Sequence, residues 1–243
     1  GAIQLEDIAA PACFEVEDAL RARLDIPVLH DDQHGTAVVA LAAVRNAGRQ
    51  AGQRLSQSVV GQVGLGAAGI GIARLLLSRG TPRILGADLD AAALERFAAL
   101  GGEPADLARV MAEADIVIAT TGVRGLIKPA MVRPGQVILA LSNPDPEIEP
   151  TDALAAGASF AADGKSINNV LGFPGLFRGA LEAGARRFTD PMLVAAAETI
   201  ADHAGEHELV PEPLDARVHD AVSRAVAQAA RDSGACAERG GAQ

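Results

Sequence analysis

The stretch from Val59 to Asp88 constrains the fold of this chain more than any other. An apolar run passes directly into GLGAAG, an amphipathic stretch follows, and a second short apolar run ends in the closing aspartate. This order predicts a strand, a tight turn, a helix and another strand. In such a unit Gly64 permits the turn, Gly66 omits a Cβ where a pyrophosphate approaches, and Gly69 lets the helix lie close to the sheet. The stretch therefore predicts a dinucleotide-binding site.

The turn and the closing aspartate predict which cofactor is bound. A helix starting near Ala67 offers unpaired backbone N–H groups and a positive dipole end to phosphates. Asp88 follows the last glycine by about twenty residues, where a carboxylate accepts bonds from ribose hydroxyls. A 2′-phosphate placed there would face like charge, so NAD is favoured and NADP is the less favoured option. The predicted cofactor-binding residues of the turn are Gly64, Leu65, Gly66, Ala67, Ala68 and Gly69.

Composition excludes several classes of protein. The 243 residues are 49% hydrophobic, enough for one large domain or a domain with an added lobe. The formal net charge of −10 argues against a nucleic-acid partner. No apolar run approaches the length needed to span a bilayer and no signal peptide opens the chain, so we expect a cytoplasmic protein without a membrane partner. Cys13 and Cys236 are expected to be reduced.

Strands and helices are predicted to alternate after residue 58. This pattern predicts an α/β fold, a Rossmann-like doubly wound parallel sheet with flanking helices. Residues 1–50 are predicted to form a helical segment carrying candidate metal-binding acids, with two short helical pieces in 1–24 broken by Pro11. Residues 51–243 are predicted to form the dinucleotide-binding domain with C-terminal helices. The tail after Gly234 is expected to be mobile.

Two acidic clusters lie in the N-terminal segment. Glu6 and Asp7 alone are explained as acids near a helix N-terminus. The run of residues 30–34, HDDQH, enters an apolar helix, and it is either an acidic N-cap with solvated neighbours or part of a site. Together with Asp32, the first two acids would give a hard-cation site of the kind that Mg²⁺ or Mn²⁺ prefers. His30 and His34 are interpreted as supporting or packing residues, and zinc is discounted.

Further polar residues follow predicted strands. Thr120, Thr121 and Gly122 come after the strand predicted at 116–119, at the carboxyl edge of the sheet where ligands bind. Asn143 follows the strand predicted at 136–141, although Asn-Pro alone would indicate only a turn. The paired amides Asn168 and Asn169 either line a pocket or close a loop.

Several long motifs occur in an order that resembles one family. They are GAIQLEDIAAPACFEVEDAL, IPVLHDDQHGTAVVALAA, VGLGAAGIGIARLL, ALSNPDPEI and NNVLGFPGLFRGAL, and together they resemble the malic enzymes, particularly the bacterial type. The resemblance implies oxidative decarboxylation of L-malate to pyruvate and CO₂ with NAD or NADP and a divalent cation, Mg²⁺ or Mn²⁺. It implies Glu6, Asp7 and Asp32 as metal ligands and Thr36 and Asn168 as cofactor contacts. Asp31, Asn143 and Asn169 are the candidate catalytic residues, and Asn143 also faces the cofactor.

The chain departs from the family pattern in one respect. The resemblance implies a catalytic tyrosine acid and a lysine base, both from an N-terminal region of the enzyme. This chain has no tyrosine, and its two lysines, Lys128 and Lys165, lie in other motifs. We therefore expect the cofactor-binding portion of a longer homo-oligomeric enzyme, a dimer or larger, with little activity as a fragment. The alternatives are a stand-alone NAD-binding regulatory module and a fragment of a malolactic enzyme, which releases lactate.

Overall fold

The computed structural model describes residues 1–165 and 167–236, so the predicted mobile tail lies largely outside the described residues. The strands within these ranges are β1 Ile3–Leu5, β2 Val28–His30, β3 Val59–Val63, β4 Arg83–Ala87, β5 Glu103–Pro104, β6 Ile116–Ala119, β7 Val137–Ala140 and β8 Phe160–Asp163. The α-helices are α1 Ala12–Arg23, α2 Thr36–Gln50, α3 Ala67–Ser78, α4 Ala91–Ala99, α5 Leu107–Glu113, α6 Pro150–Ala155, α7 Phe173–Ala183, α8 Asp190–His203 and α9 Ala216–Asp232.

Six parallel strands form the main sheet, in the order β5-β4-β3-β6-β7-β8. The chain starts at a central strand, builds outward through β4 and β5, and then returns to the other side of β3. This reversal is the topological switch point, where ligands bind at the carboxyl edge of such sheets. In the register, Val63 pairs with Ala87 on one side and with Ala119 on the other. The predicted Rossmann-like doubly wound sheet is confirmed; the short edge strand β5 is not predicted by the sequence.

Side chains of the sheet alternate between two hydrophobic clusters. Val60, Ile84 and Ile116 belong to the cluster that also contains buried residues of α2, α3 and α7 to α9. Val63 and Val117 belong to the cluster on the other face, which contains residues of α5 and α6. Because successive residues of a strand point to opposite faces, apolar strands of this kind need helices on both sides.

The first residues of the chain form a strand and not the predicted helical piece. β1 pairs in parallel with β2, with Ile3 opposite Val28 and Leu5 opposite His30. The helix α1 connects the two strands, and its predicted counterpart after Pro11 is confirmed. A parallel pair requires such a crossover, so the segment is a small α/β unit rather than a purely helical one.

A short π-helical turn, Asp31–Gly35, leads from β2 into α2, which is almost wholly buried as the sequence predicts. This turn lies directly against α3, because a Cβ on Gly71 would be 2.3 Å from the carbonyl oxygen of Gln33. The division at residue 50 into two parts remains a proposal, since buried residues of both share one cluster. Within the described ranges, no helix is long and apolar enough to cross a membrane.

Candidate functional site at the carboxyl edge of the sheet

The turn between β3 and α3 has the backbone geometry of a phosphate-binding loop. Gly64 has φ +89°, a left-handed conformation that favours glycine. A Cβ on Gly69 would lie 1.9 Å from the carbonyl oxygen of Gly64, so only glycine allows α3 to approach this closely. A Cβ on Gly66 would have no atom within 4 Å, so this residue faces open space. The first turn of α3, which begins at Ala67 and Ala68, has no side-chain cap among the described residues, as expected for helix amides that bind an anion.

Asp88 supports this loop from the end of β4. Its carboxylate oxygens accept hydrogen bonds from the amide of Leu65, at 2.7 Å, and from the amide of Asp90, at 2.9 Å. The carboxylate therefore fixes the loop next to the position where a ribose is expected. Its predicted contact with ribose hydroxyls remains a prediction.

Gln62 supports the same loop from beneath and is not predicted by the motif. Its side chain is fully buried within β3. The Nε2 atom donates to Thr120 Oγ1 at 2.9 Å and to the carbonyl oxygen of Gly64 at 3.1 Å. Gln62 therefore joins the end of β3 to the end of β6, across the switch point. The available signal is a glutamine inside an otherwise apolar strand.

Glu147 joins the two neighbouring loops and is also missed by sequence reasoning. One oxygen of this fully buried carboxylate accepts from Thr121 N at 2.6 Å, Thr121 Oγ1 at 2.7 Å and Ser142 Oγ at 2.6 Å. The amide of Gly122 in turn donates to Ser142 Oγ at 2.8 Å. The loop after β6 is thus bonded to the loop after β7, which carries Asn143.

A cleft of about 730 Å³ opens beside these loops. It brings together eight residues predicted to belong to the site, from the acidic segment, the glycine loop and the amide motifs. These residues are Glu6, Asp31, Thr36, Ala68, Thr120, Asn143, Asn168 and Asn169. The other predicted residues do not line it. They are Asp7, Asp32, Gly64, Leu65, Gly66, Ala67, Gly69, Asp88, Thr121 and Gly122.

A chain of hydrogen bonds crosses the floor of the cleft. Thr36 Oγ1 donates to Asn169 Oδ1 at 3.2 Å, and Asn169 Nδ2 donates to Asp31 Oδ2 at 3.2 Å. The other oxygen of Asp31 is buried and has no hydrogen-bond partner among the described residues. Burial raises the pKa of Asp31, and the nearby negative charges of Glu6 and Asp32 raise it further. Two acidic side chains, Glu6 and Asp31, therefore line the cleft, and burial makes ionisation of Asp31 less favourable.

The pairing of β1 with β2 determines where the two acidic motifs meet. Because Leu5 lies opposite His30, the acids that follow each strand are brought side by side. The amide of Asp7, in the left-handed conformation at φ +58°, donates to Asp32 Oδ2 at 2.8 Å. A non-glycine residue in this conformation is uncommon and is often found at a functional site.

The donor chemistry of these acids fits a hard cation, but the side chains are not gathered into a closed site. The carboxylates of Glu6, Asp7 and Asp32, the predicted metal ligands, are the oxygen donors that Mg²⁺ and Mn²⁺ prefer. The unpartnered buried oxygen of Asp31 also suits a positive charge. Over residues 1–165 and 167–236, however, no three histidine, cysteine or acidic side chains are arranged to hold one ion.

The two histidines of the motif face different groups: His30 Nε2 lies 3.5 Å from Asp32 Oδ2, whereas His34 is directed away from the acids and toward α1. His34 Nε2 lies 2.9 Å from Glu17 Oε2, and Glu17 Oε1 accepts from the amide of His30 at 3.1 Å. Arg21 lies 3.0 Å from the same carboxylate, which is almost fully buried. Burial lowers the pKa of His34 despite the contact with Glu17, so the imidazole is neutral and donates to the carboxylate. This arrangement fixes the π-helical turn to α1.

The remaining polar residues have local partners. Asn143 Nδ2 donates to the carbonyl oxygen of Gly164 at 3.1 Å, which connects the loops after β7 and β8. Asn168 Oδ1 accepts from the amide of Val170 at 3.0 Å and so closes its own loop. Both residues also line the cleft, so each of them stabilises a loop and lines the pocket at the same time. Lys165 forms an ion pair with Asp163 at 2.9 Å.

A family model described as "Malic enzyme, NAD binding domain" matches residues 87–232. The chain belongs to the malic enzyme family. This confirms the resemblance given by the sequence motifs. Curated malic enzymes related to this chain include both NAD-dependent and NADP-dependent proteins.

Individual relatives match almost the whole of this malic enzyme chain. It is 57% identical to NAD-dependent malic enzyme 1 of Bacillus subtilis (strain 168), over 94% of this chain and 52% of that protein. It is 40% identical to the bifunctional malic/malolactic enzyme of the same organism, over 96% of this chain and 63% of that protein. The crystal structure of malic enzyme from Pyrococcus horikoshii Ot3 superposes with a TM-score of 0.88 at 36% identity, over 99% of this chain and 63% of that one. The chain thus spans roughly half to two thirds of the length of these proteins.

Proposed function

We propose that this chain is the NAD- and divalent-metal-binding part of a malic enzyme that converts L-malate to pyruvate and CO₂. The observation that carries the proposal is the cleft at the switch point. It is lined by carboxylates of the acidic motifs, by side-chain amides after β7 and β8, and by Ala68 of the glycine loop. A hydride acceptor, a cation and a dicarboxylate substrate would meet in such a cleft. The catalysis belongs to the complete enzyme, in the cytoplasm and as a homo-oligomer.

The cofactor proposal rests on the β3–α3 turn. The open space at Gly66 and the free amides of Ala67 and Ala68 suit a pyrophosphate. The carboxylate of Asp88, already bonded to the amide of Leu65, would accept ribose hydroxyls and repel a 2′-phosphate. NAD is therefore the proposed cofactor, with NADP as the weaker ligand. Thr120, Thr121 and Gly122 would contact it from the end of β6.

The cation proposal rests on the meeting of the acidic motifs. Glu6, Asp7 and Asp32 would hold Mg²⁺ or Mn²⁺, since parallel pairing of β1 and β2 places the two motifs side by side. When bound, the cation supplies positive charge that favours deprotonation of the substrate hydroxyl and stabilises the charge left by decarboxylation, and NAD supplies the hydride acceptor.

The residues of the chain itself position these groups. Asp31 Oδ2 accepts from Asn169 and fixes the side-chain amide, whose Oδ1 is held by Thr36. Asn169 and Asn143 would then present amide groups to the substrate and to the nicotinamide. Because the chain has no tyrosine, the proposed tyrosine acid and its lysine partner would come from outside it. The chain alone should therefore bind ligands and form almost no product.

Titration of the chain with NADH and with Mn²⁺ tests the proposal. NADH fluorescence should report saturable binding, and electron paramagnetic resonance should report weak Mn²⁺ binding that Asp32→Ala abolishes and the exposed control Asp152→Ala preserves. Micromolar Mn²⁺ affinity in the bare chain, or malate-dependent NADH formation by it, would contradict the picture. Binding of NADH without any Mn²⁺ site would favour a stand-alone NAD-binding module.

A second candidate function is malolactic activity, because one relative is described as a bifunctional malic/malolactic enzyme. The two reactions share L-malate, NAD and the cation, and they differ in whether lactate is released. Product analysis on the complete enzyme separates them. Pyruvate with stoichiometric NADH supports the malic reaction, whereas lactate without net NADH supports the malolactic one.

A further inference from the structure

A second cavity, of about 530 Å³, lies at the opposite edge of the sheet from the cleft. It is lined by the end of α2, the residues that precede β3, the end of α3 and one side of α8. Since these segments lead into strands, the cavity is at their amino ends. We name it the arginine cavity after four residues that line it: Arg45, Arg49, Arg54 and Arg79.

The charges around the arginine cavity are not balanced. Arg45 forms an ion pair with Asp202 at 2.8 Å, and Arg79 forms one with Glu198 at 2.5 Å. Arg49 and Arg54 are exposed and form no ion pair with any residue in the part of the chain that is described. Two guanidinium charges thus remain without a partner, in a chain whose net charge is −10.

Helix dipoles explain only part of this arrangement. Arg49 lies in the last turn of α2 and Arg79 follows the last residue of α3, where a basic side chain interacts favourably with helix carbonyls. Arg54 belongs to neither helix. It precedes the short 3₁₀ turn Leu55–Gln57, and its position on the cavity needs another reason.

The wall of the cavity also contains buried polar atoms without partners. Thr81 is only 6% exposed, and its hydroxyl makes no hydrogen bond to the described residues. Gln53 Oε1 is buried and unpartnered in the same way. Such groups are few in native proteins, and an ordered water or a ligand can satisfy them. The Thr81 hydroxyl can donate a hydrogen bond to an anion, whereas Gln53 Oε1 can only accept one, so the hydroxyl is the second indication that the cavity receives a ligand.

We propose that the arginine cavity binds a small organic phosphate, a phosphate monoester with an uncharged body. Two unpaired guanidinium groups match a doubly charged anion, and their planar N–H donors fit phosphate oxygens. Leu41, Leu55 and Ala197 also line the cavity and supply apolar surface for the uncharged body. The volume lies within the range of small-molecule sites. The proposal does not depend on the dinucleotide site.

Calorimetric titration with AMP tests this site. The double variant Arg49→Gln/Arg54→Gln should raise the dissociation constant for AMP at least about tenfold, because two charge-assisted contacts are lost. The control Arg224→Gln removes an exposed arginine of α9, which does not line the cavity, and should leave the constant unchanged. Thr81→Val, which removes only the hydroxyl, should also weaken binding. NADH binding at the other edge should be the same in all of these variants.

Several outcomes would overturn the proposal. AMP binding that is weakened by Asp88→Ala and unaffected by the double arginine variant would place the nucleotide at the glycine loop instead. Tighter binding of succinate than of AMP would show that the ligand class is wrong. A lower melting temperature of the double variant with unchanged AMP affinity would show that the arginines serve only the helix ends. Failure of NADH to bind would refute the dinucleotide site and leave this test unaffected.

Discussion

Replacing Gly69 with alanine should destabilise the chain, whereas replacing Gly66 with alanine should weaken dinucleotide binding and leave stability unchanged. The two glycines belong to one fingerprint, yet their surroundings differ. A Cβ on Gly69 would lie 1.9 Å from the carbonyl oxygen of Gly64 and 2.9 Å from its carbon. Ordinary contacts of this kind begin at 3.4 Å, so α3 and the loop must separate by about 1.5 Å.

The size of each effect follows from these contacts. Overpacking of this kind costs about 1–3 kcal/mol, and the better helix propensity of alanine returns up to about 1 kcal/mol. We expect a net loss of about 1–2 kcal/mol for Gly69→Ala and a melting temperature lower by roughly 2–8 °C. At Gly66 the backbone has φ −70° and a Cβ meets nothing within 4 Å. There we expect a stability change below about 0.5 kcal/mol and an NADH dissociation constant raised at least about tenfold.

Urea unfolding, thermal melting and NADH fluorescence titration on both variants provide the measurements. Each variant controls for the other, because both add one methyl group to the same loop. Wild-type stability of Gly69→Ala would show that the close approach of helix and strand is not required. Wild-type NADH affinity of Gly66→Ala would show that the pyrophosphate does not pass over this residue.

Three further predictions concern the residues that support the cleft. Asp88→Ala should weaken NADH binding and reduce the preference for NADH over NADPH. Titration with both cofactors measures the two dissociation constants, and an unchanged ratio between them would refute the role of Asp88 in cofactor selection. The free energy of unfolding should fall as the pH drops through 6.5, the ordinary value for histidine, because the lowered pKa of His34 means that the unfolded chain binds the proton more readily. His34→Gln should flatten this part of a urea-unfolding pH series, and an unaltered slope would contradict the assignment. Ser142→Ala should cost about 1–2 kcal/mol in urea unfolding, because Glu147 loses a donor; a neutral effect would show that the loops do not depend on this bond.

The sequence predicts the dinucleotide unit well because its signals are local. The apolar run, the glycines and the following amphipathic stretch predict β3 and the start of α3 at the residues where they occur. Each element has its own periodicity, and the turn between them requires a residue tolerant of positive φ at Gly64. No distant contact is needed to recognise any of these features.

The N-terminal strand is missed because its cause is distant. Leu5 and Ile8 have a spacing compatible with a short helix, but residues 3–5 are extended because they pair with residues 28–30. Strand formation depends on such a partner more than on intrinsic preference. The spacing of apolar residues carries no information about a partner beyond the intervening helix.

Gln62 and Glu147 are missed for a related reason. Each is a buried polar residue whose role exists only where two loops meet, at the ends of β3 and β6 or of β6 and β7. Buried polar groups must be satisfied, so an isolated glutamine in an apolar strand is a usable signal that something polar lies nearby. Its partner, however, follows from the strand order and not from the motif.

Because β1 pairs with β2 over only three residues, the segment that carries Glu6 is expected to open more readily than the main sheet. β1 is a short edge held by one neighbour, whereas β3 is bonded on both sides in the centre of a six-stranded sheet. Segments with few supporting contacts detach at a small fraction of the global unfolding free energy. Amide protons of β1 should therefore exchange with deuterium long before those of β3. A ligand bound by Glu6 would slow that exchange, so hydrogen-exchange protection of β1 would measure occupancy of the site.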